Sequence, residues 1–501
     1  MVSFMPTGLS PFQNNVSITG FMNLGSSGPG SGTTESSVQT TWRTAGTFQN
    51  LYVNVSTNGI TANTTISYRS GGVTGNNTVT YGSGVTGEMT DTTHTGASGD
   101  AVSAGNLVNY IIVSGGTGTN IKVDIAAMQF VPTTATNTVC KLSCTNTITD
   151  TTAAATYYNP PIGGLALNVT EANGQFKNKA TATIQNLVVM VSANTASVAT
   201  VTSRKNTAAG NLTVSITSGT TGQFEDTTHS DSVASGDLIN YALNSTITTS
   251  LSLTLIGTDY VSTSGQTHYM TGLSSGVAFL RLTTNFLTIT GRLAAYGTEN
   301  QASCKTGLTL TASNLEGFCS ANTGTTGVVT FRKNTADGNQ TISFAGTGYS
   351  EDTTHTDAVT VTDEINYKEA GGNGSAGTAA TLTNLGFLAT YLAPFIDEEL
   401  ATSAANMLNR VGALVQAFFA DEEVVPAVSS FFLDQEEGVI SLPAVTQAGT
   451  TIAAIYDDAL PQNFYVDQED FIAPPLMKTT TAPVSQDEGD YVQRFALNQE
   501  E

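Results

Sequence analysis

RKNTAAGNLTVSITSGTTGQFEDTTHSDSVASGDLINY, residues 204–241, is written three times in this chain. Upstream it reads YRSGGVTGNNTVTYGSGVTGEMTDTTHTGASGDAVSAGNLVNY, ending at Tyr110, and downstream RKNTADGNQTISFAGTGYSEDTTHTDAVTVTDEINY, ending at Tyr367. The landmarks are Arg69, Arg204 and Arg332, the DTTH tetrads closing at His94, His229 and His355, and the Asn-Tyr pairs at Tyr110, Tyr241 and Tyr367. They recur every 126 to 135 residues, too long a period for a solenoid and right for a small domain.

Within the repeat, Leu212, Val214 and Ile216 alternate with Thr213, Ser215 and Thr217, and Leu251, Leu253 and Leu255 alternate with Ser252 and Thr254. Ile342 and Phe344, and Ile121, Val123 and Ile125, repeat these runs in the other copies. Period two marks strands with one buried and one wet face. Gly, Asn, Thr, Ser and Asp clusters between them supply tight turns. The expected fold is all-β: three tandem antiparallel β-sandwich modules with jelly-roll-like connections, followed by one helix and an extended acidic C-terminal tail.

The chain divides accordingly. Residues 1–36 form an N-terminal arm with scattered anchors at Phe4, Phe12, Phe21 and Met22, read either as a docking arm or as a lead-in containing a first strand. Modules occupy 37–135, 157–262 and 301–395. Between them lie a Thr-rich linker at 136–156 and a strand-rich connector at 263–300. From 396 to 420 the pattern turns helical: acids at the start suit a helix N-terminus, and Leu400, Ala404, Met407, Val411, Leu414 and Phe418 follow at spacings of four and three. That seam serves oligomerisation as a short coiled coil or packs on the third module. In the tail, 421–501, Phe431, Phe432, Tyr456, Phe464, Tyr465 and Phe471 alternate with acids and prolines, a pattern for extended docking into grooves of other subunits or for a solvated tail.

Charged residues make up only 11% of the chain and the formal charge is −23, which argues against nucleic acid as a ligand. Partners are expected to be protein or neutral glycan. No cationic start followed by an apolar run is seen, so no secretory signal is expected, and no stretch has the length and apolarity of a membrane span.

Three of the four histidines sit in the DTTH tetrads. One histidine per module favours a turn in which Asp and Thr cap backbone amides; the metal reading of His94, His229 and His355 requires them to meet on a trimer axis. Asn76, Asn211 and Asn339 each head an N-x-Thr sequence, read as turn-to-strand positions rather than glycan sites, and the landmark arginines are read as structural. Cys304 and Cys319, and Cys140 and Cys144, are each either paired or free; neither pair suits zinc. No catalytic motif stands in the right context, so no enzyme and no cofactor is expected.

Thr- and Gly-rich β modules carrying R-K-N-x-A-x-G-N, then D-T-T-H-x-D-x-V, then G-D-x-I-N-Y resemble modules of tailed-bacteriophage fibre and appendage proteins. The likeness covers roughly 37–395. It is weakest in module one, where GASG follows Thr95, and module three departs at Val361 to Glu364, VTDE in place of ASGD. The resemblance implies a virion structural protein, a fibre or head-decoration appendage. Such a protein would be made in the host cytoplasm, sit on the virion surface, and form a homotrimer anchored to other virion proteins by its arm or its acidic tail. Multivalent display would then let it contact a host-surface glycan or protein. The alternatives are a bacterial surface adhesin or filament subunit, and a polysaccharide depolymerase.

Overall fold

A computed structural model of the chain describes residues 3–15, 17–24, 34–133, 138–152, 154–195, 198–246, 250–262, 265–372 and 379–391, together with short strand segments between 432 and 452. Met1–Pro394 form one compact unit and Phe395–Glu501 a second. The repeats lie in the first.

The alternation read from the sequence sets which side chains go inward. Ala208–Ile216 buries Leu212, Val214 and Ile216 and exposes Thr213 and Ser215. Ala336–Phe344 does the same with Gln340, Ile342 and Phe344 inward. Two-residue turns close these hairpins, with positive φ at both positions: Gly71–Gly72, Asn206–Thr207 and Asn334–Thr335. That is the conformation whose twist matches the flanking strands.

Each repeat lays eight principal strands in two facing sheets. In the second repeat one sheet runs Thr138–Asp150, Leu251–Ser262, Ala182–Asn194, Gly222–Val233 side by side; the other runs Thr156–Asn159, Leu238–Thr246, Val198–Lys205, Ala208–Ile216. The first repeat follows the same order, beginning with Ser3–Asn15 and Thr19–Met22, and the third begins with Gln266–Leu280 and Thr284–Leu287. Between the sheets of the second repeat lie Leu187, Val189, Val201, Leu212, Ile239, Tyr241 and Ile256. In the first, Trp42 packs against Phe48 and Phe130 with ring centroids 4.9 and 4.8 Å away. Burying one such large apolar side chain is worth roughly 1.5–3 kcal/mol.

These sheets correct the expected fold. The architecture is all-β and made of open sheets, but it is not a row of three separate sandwich modules followed by a helix. One ten-stranded sheet runs from Gly222–Val233 in the second repeat to Gly348–Val359 in the third, so two repeats share it. Among the described residues there is no α-helix, only 3-10 turns such as Glu171–Gly174 and Glu299–Gln301. The helix expected at 396–420, with Leu400, Ala404, Met407, Val411, Leu414 and Phe418, lies outside the described residues, as do Phe431, Tyr456, Phe464, Tyr465 and Phe471 of the tail. In the second unit, Phe432–Leu433 pairs with Ile440–Ser441, and Val445–Gln447 with Thr450–Ile452.

The join in the long sheet explains the difference. Gly163 and Gly164 pair in parallel with Ser143 and Cys144 of their own repeat, and Gly164 pairs in parallel with Leu273 of the next. The first strands of the second and third repeats therefore run the same way. Gly163 has φ 120°, and a Cβ there would collide with the Gly272 carbonyl. Two glycines carry no periodicity that would announce the join, and the stretch expected as linker, 136–156, holds the sheet strand Thr138–Asp150.

Gly163→Ala should lower stability by on the order of 1–3 kcal/mol, the usual scale of overpacking, measured by urea denaturation at neutral pH. Gly219, also left-handed but facing open space, is the control. Gly219→Ala isolates the backbone cost, and a loss no larger in Gly163→Ala would mean that the join is not tight.

Candidate functional site: repeated ties and the seams between repeats

The landmark arginines are held in one cradle written three times. Arg69 Nε donates to Glu35 Oε1 at 2.6 Å and Nη2 to Oε2 at 3.0 Å. Arg204 meets Glu171 at 2.5 and 3.1 Å, and Arg332 meets Glu299 at 2.8 Å on both oxygens. Each guanidinium also donates to a turn carbonyl, of Gly72, Thr207 or Thr335. Each lies over an aromatic ring: Phe21 at 5.7 Å, Tyr158 at 5.5 Å, Phe286 at 5.8 Å. A two-pronged carboxylate contact fixes a plane as well as a charge, and here it clamps the hairpin turn onto the segment leading into the third strand.

The DTTH aspartates are a second tie. Asp226 accepts N–H bonds from Thr213 at 2.9 Å, Thr228 at 3.1 Å and His229 at 3.2 Å, and its oxygens lie 2.9 and 3.0 Å from His229 Nδ1. Asp352 repeats this with Thr341, Thr354 and His355, and Asp91 with Thr78, Thr93 and His94. Burial pushes these carboxyls up, but the N–H bonds outweigh it. Asp226 and Asp352 fall well below the usual carboxylate range, and Asp91 falls to about 2. The strand that bears the tetrad is thereby pinned to its neighbour in the facing sheet.

The three histidines are not brought together. Each bonds its own aspartate, and among the described residues no group of three His, Cys, Asp or Glu side chains is placed to hold a metal. Asp231 and Asp357 take the backbone N–H of Asn211 and Asn339, each at 2.8 Å, and the amides of those asparagines donate to Ser230 and Thr356 carbonyls. Asn76 is held likewise by Asp100 and Ser98. The N-x-Thr asparagines therefore lie inside strands, at the fourth residue of Val73–Tyr81, Ala208–Ile216 and Ala336–Phe344, and not at the expected turn-to-strand joint. In the third repeat Asp363 binds Asn334, as Asp237 binds Asn206; the VTDE departure keeps the one side chain the turn needs. Cys304 and Cys319 are both buried and free.

Between repeats the contacts follow a cycle. Arg43 of the first repeat pairs with Glu225 of the second, and Gln223 reaches back to Thr41. Lys177 of the second pairs with Glu351 of the third, and Tyr349 donates to the Gln175 carbonyl at 3.1 Å. Lys305 of the third pairs with Glu88 of the first at 2.6 Å, and Tyr52 donates to the Ser303 carbonyl at 3.3 Å. In each ion pair the segment entering one repeat's third strand meets the sixth strand of the next. A head-to-tail contact that returns to its start after three steps is a closed ring, here within one chain.

Sequence reading missed the cradle glutamates and the seam charges. A signal for the first was present: Glu35, Glu171 and Glu299 stand 33 or 34 residues before their arginines in all three copies. The seam charges had none, because each pair joins different repeats. The chain matches no protein-family model and no curated protein. Among the described residues no helix is long and apolar enough to cross a membrane.

Asp226→Ala should cost about 1–3 kcal/mol at pH 7, the price of leaving buried N–H groups unpaired, whereas His229→Ala should stay within about 0.5 kcal/mol. A carboxyl whose folded value is depressed contributes fully above its ordinary value near 4 and loses that contribution as pH falls through the folded value. The gap between wild type and Asp226→Ala should therefore narrow below pH ~3, read by urea denaturation; a gap that is constant with pH contradicts the tie.

Proposed function

We propose that the chain is a virion structural protein, a fibre or head-decoration appendage whose task is display and attachment rather than catalysis. The observation that carries the reading is the ring of three repeats tied at equivalent positions, because it provides threefold, multivalent presentation from a single polypeptide. The homotrimer implied by the sequence becomes unnecessary for that purpose: one chain supplies three near-equivalent units.

The ring has two unlike faces. Pro132 pairs with Gly46, Ser262 with Ala182 and Tyr391 with Leu310, so every last strand ends beside the start of a third strand, at one face. The last strand of this unit, Ala379–Tyr391, ends there. The opposite face is built from turns such as Thr61–Asn63, Gly82–Thr86, Thr217–Thr221 and Thr323–Thr326, which are Thr-, Ser- and Gly-rich. These four turns carry no charged residue; the turn at 281–283, between Gln266–Leu280 and Thr284–Leu287, carries Arg281. In this reading the face where the last strands end anchors on the particle, through the tail or the arm, and the opposite face looks outward to a host-surface glycan or protein.

Antibodies against the turns Gly82–Thr86 and Thr217–Thr221 should decorate intact virions purified from the source culture, and peptides of the chain should be recovered from those virions by mass spectrometry. Recovery from the cell-wall or secreted fraction alone would overturn the proposal in favour of an adhesin or filament subunit.

A further inference from the structure

The three seams are equivalent in place and unequal in chemistry. Leu142, Val188, Met190 and Leu255 of the second repeat join the apolar cluster of the first, and Tyr52, Ile125 and Ala127 of the first join that of the third. Val188 faces Gly257 across its sheet, and Tyr52 faces Ala127. The third copy of that position, opposite Gly386, is Glu316.

Glu316 is fully buried, and so is His268, whose Nε2 stands 3.5 Å from its carboxylate. Neither side chain makes a hydrogen bond within the chain. Every element around them brings a polar or charged group. Lys179 Nζ lies 3.7 Å from Glu316 and 2.9 Å from Glu351, which also pairs with Lys177. Lys141 Nζ donates to the His268 carbonyl at 2.5 Å and lies 4.2 Å from the centre of the Tyr260 ring. Asn384 donates to the Gln175 carbonyl at 2.7 Å. Burial raises the phenols of Tyr349 and Tyr367, and the nearby Glu316 carboxyl adds to that rise.

An imidazole and a carboxyl 3.5 Å apart in a buried seam form an uncharged pair only if the carboxyl holds a proton; without it the neutral imidazole can at most donate its own N–H to a carboxylate that stays charged, and a buried charge is costly. We propose that the joint between the second and third repeats is held shut by one proton shared between Glu316 and His268, and that the joint loosens when that proton leaves. Burial raises the Glu316 carboxyl to about 8, against the pull of Lys179. Burial, with Lys141 and Lys179, pushes His268 well below its ordinary value. The proton therefore resides on the carboxyl, which donates toward Nε2. A carboxyl raised in this way gives its full stabilisation below its ordinary value near 4.5 and loses it as pH rises through about 8. Glu351, which burial raises but Lys177 and Lys179 pull down further, acts in the opposite sense, and only in acid.

Hydrogen exchange of the full chain, corrected for intrinsic rates, reads the opening of the segments 266–272 and 310–320. Dividing wild-type opening constants by those of Glu316→Gln removes what His268, Lys141 and Glu351 contribute to both. That ratio should rise by close to tenfold per pH unit from about pH 5 to about pH 8, while segment 51–55 shows no such trend. Glu316→Val, which copies the Val188 seam, should give the same result and stands in if the glutamine variant folds poorly. A ratio independent of pH in either variant, or wild-type segments whose opening matches that of 51–55 at every pH, overturns the proposal.

Discussion

Ring closure is the constraint on which the rest of the molecule depends. A repeat that carries a cation just ahead of its third strand needs a neighbour whose sixth strand carries a glutamate, and the last repeat finds its neighbour only in the first. The ion pairs themselves are partly exposed, with Lys305 36% and Glu88 24% accessible, so each is worth little by itself. They fix which surface meets which. The cohesion comes from side chains such as Leu142, Val188 and Ile125, which one repeat lends to the core of another.

Inside each repeat the division of labour is different. Alternating Leu, Val and Ile decide which face of a strand goes inward, but they do not decide how two sheets are held in register at their edges. That falls to buried charges tied to backbone: the DTTH aspartates, the aspartates beneath Asn211 and Asn339, and the arginine cradles. Such groups are costly to bury unless every bond is made, which accounts for the near-identical spelling of the three copies at these positions. A left-handed asparagine at Asn50, Asn186 and Asn314, each at a bulge in the third strand, is another repeated device.

Much of this was legible. Period-two runs gave the strands, and the expectation that the DTTH aspartate bonds backbone amides agrees with the bonds that Asp226 and Asp352 make, although those tetrads lie in the strands Gly222–Val233 and Gly348–Val359 rather than in turns. What escaped has physical causes. The first two strands of each repeat lie upstream of the repeated motif, in stretches read as arm, linker and connector, because Thr138–Asp150 is Thr-rich and Ser3–Asn15 is broken by Gly and Pro. Their partners are the last and second-last strands of the repeat, 80 to 127 residues away in sequence, a pairing no local pattern announces. Gly163 and Gly164 fuse two repeats without a side chain between them. Glu316 reads as one polar residue in a strand and acquires meaning only beside His268 and Lys179.

Zero-length carbodiimide coupling followed by mass spectrometry of the monomer band tests ring closure most directly, since it joins only amines and carboxylates already in contact. Closure within one chain predicts Lys305–Glu88 and Lys177–Glu351 cross-links in material that still runs with the mass of a single chain. Those cross-links appearing only in dimer or trimer bands, or Lys305 coupling in the monomer to Glu364 of its own repeat, 3.6 Å away, but never to Glu88, would contradict it.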